Sequence, residues 1–139
     1  MGRNACVWIA FVGLALLTAG CQTPREASKP QWSDVKIDSF ESIAGKWAGL
    51  MLREPRSRQD DWVRVVIADD GRYEFVSYRS IGVFSGKGQF TLAEGMLTAA
   101  AERGTLTGGL LVSNGRRMLR MIGVMKDGTQ YKAELEPSR

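Results

Sequence analysis

Leu110-Leu111-Val112-Ser113-Asn114-Gly115-Arg116-Arg117-Met118-Leu119 is the stretch that decides the fold. Asn-Gly sits between two runs rich in apolar and β-forming residues. Both residues of that pair take positive φ easily, and a type I′ turn needs positive φ at both central positions. The stretch therefore reads as a hairpin, with strands over 105–112 and 117–125. Similar turn signals recur outward from it at short intervals. Lys126-Asp127-Gly128 leads into 131–136, where Tyr131, Ala133 and Leu135 alternate with Lys132, Glu134 and Glu136. Arg103-Gly104 and Ala93-Glu94-Gly95 bracket 96–101. Further upstream, Asp69-Asp70-Gly71 separates 62–68 from 72–78, and a strand over 83–92 follows. Gly45 to Arg53 gives the first strand, for eight in all. Alternation with a period of two marks a sheet with one buried face. The gaps hold no crossover helix, so the strands pair antiparallel. The sequence thus predicts an all-β, up-and-down meander closed or half-closed into a small barrel, with the last strand beside the first. A short helical turn is expected near Asp38 to Ala44, ahead of Gly45.

Gly45-Lys46-Trp47 on the first strand, after a helical turn and before a meander, resembles the lipocalin and wider calycin pattern. The resemblance implies a barrel whose first-strand Trp packs across one end, often under an Arg from a late strand. Trp47 matches by position. Arg120 and Arg139 come late enough in the chain, but neither matches the motif's placement, and the domain of roughly 100 residues is shorter than a full lipocalin. The implied function is the holding of a small apolar or amphipathic ligand, with Trp47, Phe75, Phe90 and Leu110 as the lining. Small residues expected to face inward (Gly86, Gly88, Ala99, Ala101 and Gly108) would leave space beside them. The same glycines also suit a tightly coiled wall with no space at all.

The first 20 residues read as a secretory leader. Arg3 is its positive start, and Val7 to Leu17 is apolar apart from Gly13. The apolar run falls short of the roughly 20 residues that span a bilayer. Leu17-Thr18-Ala19-Gly20-Cys21 resembles the lipobox of bacterial lipoproteins, with Thr18 where Leu is commonest. This implies cleavage before Cys21, a diacylglyceryl thioether on its sulfur and usually a third acyl chain, such as palmitate, on the new amine. Two or three chains anchor a protein stably where one does not. Gln22, in place of the Asp that holds such proteins at the inner membrane, favours the outer membrane, facing the periplasm, if the envelope is Gram-negative. Residues 21–37 then form the lipidated start and tether, and residues 38–139 the barrel domain. Trp32 is the one aromatic residue of the tether and is expected either to pack on the domain, the favoured reading, or to sit at the membrane interface.

The chemistry of catalysis is missing. The chain has no histidine, and its two cysteines are Cys6, inside the leader, and Cys21, taken up by lipid. That excludes Ser-His, Cys-His and His-metal arrangements and any intramolecular disulfide in the mature chain. Asp69-Asp70-Gly71 is turn chemistry, and adjacent carboxylates such as Asp60-Asp61 point to opposite faces of a strand. Gly86-Lys87-Gly88 has no helix start after it to hold a phosphate. No catalytic residue, cofactor or metal is therefore expected. The net charge of +4, or +3 once Arg3 leaves, is too small for a nucleic-acid stripe. Arg116, Arg117 and Arg120 form a basic spot that is either solvated or set against lipid phosphate. Met118, Met121 and Met125 make both faces of their strand apolar, which implies either cover on both sides or an exposed apolar patch that docks on a partner. Two functions stand: a membrane-anchored binder of a small hydrophobic ligand, or an envelope interaction module with a solid barrel. The partners are the membrane, through Cys21, and such a ligand or an envelope protein.

Overall fold

The computed structural model describes residues 29–54, 61–79, 82–101 and 103–139. The chain runs through β1 (Ser33–Val35), a 3-10 turn η1 (Phe40–Ser42), β2 (Gly45–Glu54), β3 (Asp61–Ile67), β4 (Arg72–Arg79), β5 (Gly82–Gln89), β6 (Thr91–Ala93), β7 (Met96–Ala101), β8 (Gly104–Ser113), β9 (Arg116–Met125) and β10 (Gln130–Pro137). All pairings are antiparallel. The sheet order is β5-β4-β3-β2-β10-β9-β8-β7-β6, with β1 beside β8. The result is a meander curled into a half-barrel, and the last strand, β10, lies beside β2 as expected. Among the described residues no helix is long and apolar enough to cross a membrane.

Local chemistry accounts for the turns. Asn114 and Gly115 take φ of 48° and 77°, the geometry a type I′ hairpin demands. Asp70 accepts the Arg72 backbone N–H at 3.0 Å, and Asp127 accepts that of Thr129 at 2.9 Å. These bonds hold both carboxyls below the usual range. The two acids therefore serve the turns on which they sit.

Two features depart from the sequence reading. The expected strand over 83–92 divides at Phe90, whose N–H donates to the Gly71 carbonyl at 2.9 Å. Before Phe90 the chain pairs with β4, and after it with β7. One continuous piece of chain thus forms both ends of the ladder order. The wall is closed at Phe90 and open as a seam between β5 and the far part of β7, where no ladder forms among the described residues. The second departure lies within 21–37. Ser33–Val35 pairs with Leu110–Val112, and Ile37 is buried with its N–H on the Gly95 carbonyl. The folded structure thus reaches back into the segment assigned to the tether.

Residues facing inward form one core. Trp47, Val63, Val65, Ile67, Phe90, Leu97, Leu110, Leu119, Met121, Ala133 and Leu135 are all buried in it. Gly49 lets β10 come close, because a Cβ there would collide with the Glu134 carbonyl oxygen.

Candidate functional site

The end of the barrel near η1 is plugged. Trp47 is buried on β2, and its indole Nε1–H donates to the Ile43 carbonyl at 2.8 Å. The guanidinium of Arg117, on β9, stands 5.4 Å from the ring centre of Trp47 and donates to the Ser42 carbonyl. Phe40 fills the site a side chain at Gly71 would need. An Arg over the first-strand Trp is the arrangement the calycin resemblance implies. It is supplied by Arg117, not by Arg120 or Arg139. Arg120 reaches Glu134 on the outer face, and Arg139 is exposed at the C-terminus.

Trp47, Phe75, Phe90 and Leu110 all come together in the core or against it. Trp47 and Phe75 flank Val65 on one cross-strand row. Phe90 stacks on Tyr73 with ring centres 4.1 Å apart. Leu110 faces Leu119 across β8 and β9. The space expected beside Gly86, Gly88 and Gly108 is occupied, while the side chain of Ala101 lies outside what the structure describes. A Cβ on Gly86 would lie 2.5 Å from the Phe75 ring, and one on Gly88 would lie 2.7 Å from the Tyr73 hydroxyl. At Gly108 it would meet the Met121 sulfur. Aromatic rings lying over glycines on a neighbouring strand account for this pattern. Burial also pushes the Tyr73 hydroxyl pKa up. Phe84 is the exception among the inward aromatics: it is half exposed beside the open seam. Arg79 stands 5.6 Å over its ring and 2.9 Å from Asp61. Next to Phe84 lies Ser77, whose buried hydroxyl has no partner among the described residues.

The three arginines of the basic spot are engaged. Arg116 pairs with Glu136 and lies 5.8 Å from the Trp32 ring, so Trp32 packs on the domain. Arg117 caps Trp47, and Arg120 holds Glu134 at 3.1 Å. Met118 and Met121 are both buried, on opposite faces of β9.

A different surface has no local signal in the sequence. Leu50, Trp62, Tyr78 and Val83 are direct cross-strand neighbours on β2, β3, β4 and β5. They form one row on the outer face, each between 42% and 67% exposed. Val66, also exposed, stands on the same face two rows away, with Arg64 and Val76 in the row between. Lys46, Arg64 and Lys87 lie among these side chains, and Glu74 faces Lys87. None of those three cations enters an ion pair among the described residues. Alternation marked these residues as outward-facing, but only the registers of three ladders show that they share a row.

No family model matches the chain, and no curated protein matches it either. The leader and Cys21 lie outside the described residues. Among the described residues no three acidic, histidine or cysteine side chains gather as a metal set.

Proposed function

We propose that this chain is a lipid-anchored, non-enzymatic module of the cell envelope that acts through its outer surface, with its barrel serving as a solid support. The observation that carries this reading is the contrast between inside and outside. The inward positions beside Gly86, Gly88 and Gly108 are filled by Phe75, Tyr73 and Met121, while the outer face of β2–β5 carries a row of exposed aromatic and aliphatic side chains. Contiguous exposed apolar surface of this kind marks an interaction site. The lipobox-like Leu17 to Cys21 supports the anchor, with Gln22 favouring the outer membrane. Trp47 under Arg117 supports a calycin-like barrel. The missing histidine, and a mature chain whose one remaining cysteine would be acylated, support the absence of catalysis.

A second reading keeps the small apolar ligand. Half-exposed Phe84 beside the open seam favours it, since a ligand entering there would meet Phe84 and Phe75. One experiment separates the two. Protein extracted from membranes is weighed intact, then titrated after delipidation with a fluorescent fatty acid. The proposal expects a mass carrying a diacylglyceryl group and no saturable binding. A free thiol on Cys21 would remove the anchor. Stoichiometric binding abolished by Gly88→Leu would replace the solid barrel with a ligand site.

A further inference from the structure

We propose that the outer face of β2–β5 docks on an anionic lipid surface, laying the barrel on its side against the membrane. This rests on the reading of the chain as a surface-acting envelope module and names the surface it meets.

The exposed apolar side chains are unevenly placed. Of the nine large ones among the described residues, five stand on this face: Leu50, Trp62, Val66, Tyr78 and Val83. Trp and Tyr, with an apolar body and a polar edge, are the side chains that settle at the level of lipid head groups. Lys46, Arg64 and Lys87 stand among them, against Glu74. Each basic group near an anionic leaflet adds attraction, and apolar burial plus cationic charge is the combination that holds peripheral surfaces on lipid. The adjoining wall differs. On β9 and β10 the outward charges are matched by Arg116–Glu136 and Arg120–Glu134, and Lys132 reaches Glu54 at the end of β2. That wall carries no comparable net attraction for lipid.

Shape and chain length agree with this occupant. The row crosses four strands of a curled sheet, so it is convex. The chain enters the fold through β1 on β8, across the barrel from β3 and β4. Lys29 is eight residues from Cys21, a reach of at most about 28 Å. A barrel of two sheet layers about 10 Å apart, with side chains, is roughly 20 Å thick. The anchor can therefore enter the membrane on which the opposite wall rests.

The test uses the full mature chain carrying Cys21→Ser, so that acylation plays no part. Its co-sedimentation is measured with vesicles of phosphatidylcholine alone and with vesicles containing phosphatidylglycerol. Binding is expected to the anionic vesicles and to weaken as salt rises. Arg64→Gln and Lys87→Gln should each lower the partition coefficient about fivefold. Trp62→Ser with Tyr78→Ser should lower it by more than roughly tenfold. All four positions lie at the surface of the described structure, and an unchanged circular dichroism spectrum separates lost docking from lost folding. Brominated lipid should quench Trp62 in a Trp32→Phe background, where buried Trp47 is the other tryptophan. Absence of binding to anionic vesicles, or binding that survives Trp62→Ser with Tyr78→Ser, would overturn the docking face. Neither result bears on the anchor, which the intact mass of the wild-type protein decides by itself. Retention by a soluble envelope protein with no affinity for either vesicle would reassign the face to a protein partner.

Discussion

The two walls of this barrel share one core and treat solvent in opposite ways. Inside, β2–β5 and β8–β10 contribute equally: Trp47, Val65 and Ile67 from one side meet Leu110, Leu119 and Leu135 from the other. Outside, β9 and β10 pair their charges, while β2–β5 expose Leu50, Trp62, Tyr78 and Val83 in register. Burial of a core explains the inner faces completely and the outer difference not at all. A fold needs one buried face per strand. The apolar row on the other face therefore adds nothing to the core, and the proposed docking is what would give its placement a use.

Substitutions in the shared core should have the largest effects and should disable both walls together. Trp47→Ala removes a buried indole and its bond to Ile43, and is expected to cost about 3–5 kcal/mol in urea denaturation. Gly88→Leu drives a side chain into Tyr73 and should cost about 1–3 kcal/mol by overpacking. If it costs nothing, the space beside Gly88 is real and the ligand reading regains its ground. Arg117→Met keeps much of the packing over Trp47 but loses the cation and its bond to Ser42. A loss of about 1 kcal/mol is expected, the scale of one cation–π contact and one hydrogen bond.

The smaller effects sharpen the contrast between walls. Trp62→Ser should leave stability within about 0.5 kcal/mol of wild type, because the side chain is half exposed and lies outside the core. A large loss there would mean that the row is structural. The smallest effect concerns acid. Asp70 and Asp127 have lowered pKa values in the fold. Their contribution is present above the unfolded carboxylate value, near pH 4, and fades as pH falls through the lower folded value. Asp70→Asn should therefore lower stability slightly at neutral pH, where that contribution is fully present, and flatten the acid limb, with no difference left below the folded value.

Much of this architecture can be read from single residues. Asn114-Gly115 places its own hairpin, and Tyr131, Ala133 and Leu135 announce which face they bury. Gly45-Lys46-Trp47 is enough to put an indole at one end of the core. Other features depend on facts that no local pattern holds. β1 is three exposed residues, so alternation gives no signal for it. The break at Phe90 interrupts a run whose alternation continues through Gly86, Gly88, Phe90 and Leu92. It arises from the hydrogen bond to Gly71, far away in the chain. Arg117 over Trp47 depends on where β9 begins relative to β2. The filled interior depends on Phe75 and Tyr73 leaning over glycines of the neighbouring strand. The outer row needs three registers at once.

The contrast between walls can be measured on the full chain by hydroxyl-radical footprinting, in detergent and again in anionic vesicles. Met96, exposed but away from β2–β5, is the internal control. The account expects oxidation of Trp62 and Tyr78 to fall several-fold in vesicles while that of Met96 stays the same. Equal oxidation of Trp62 in both settings, or an equal fall at Met96, would contradict it.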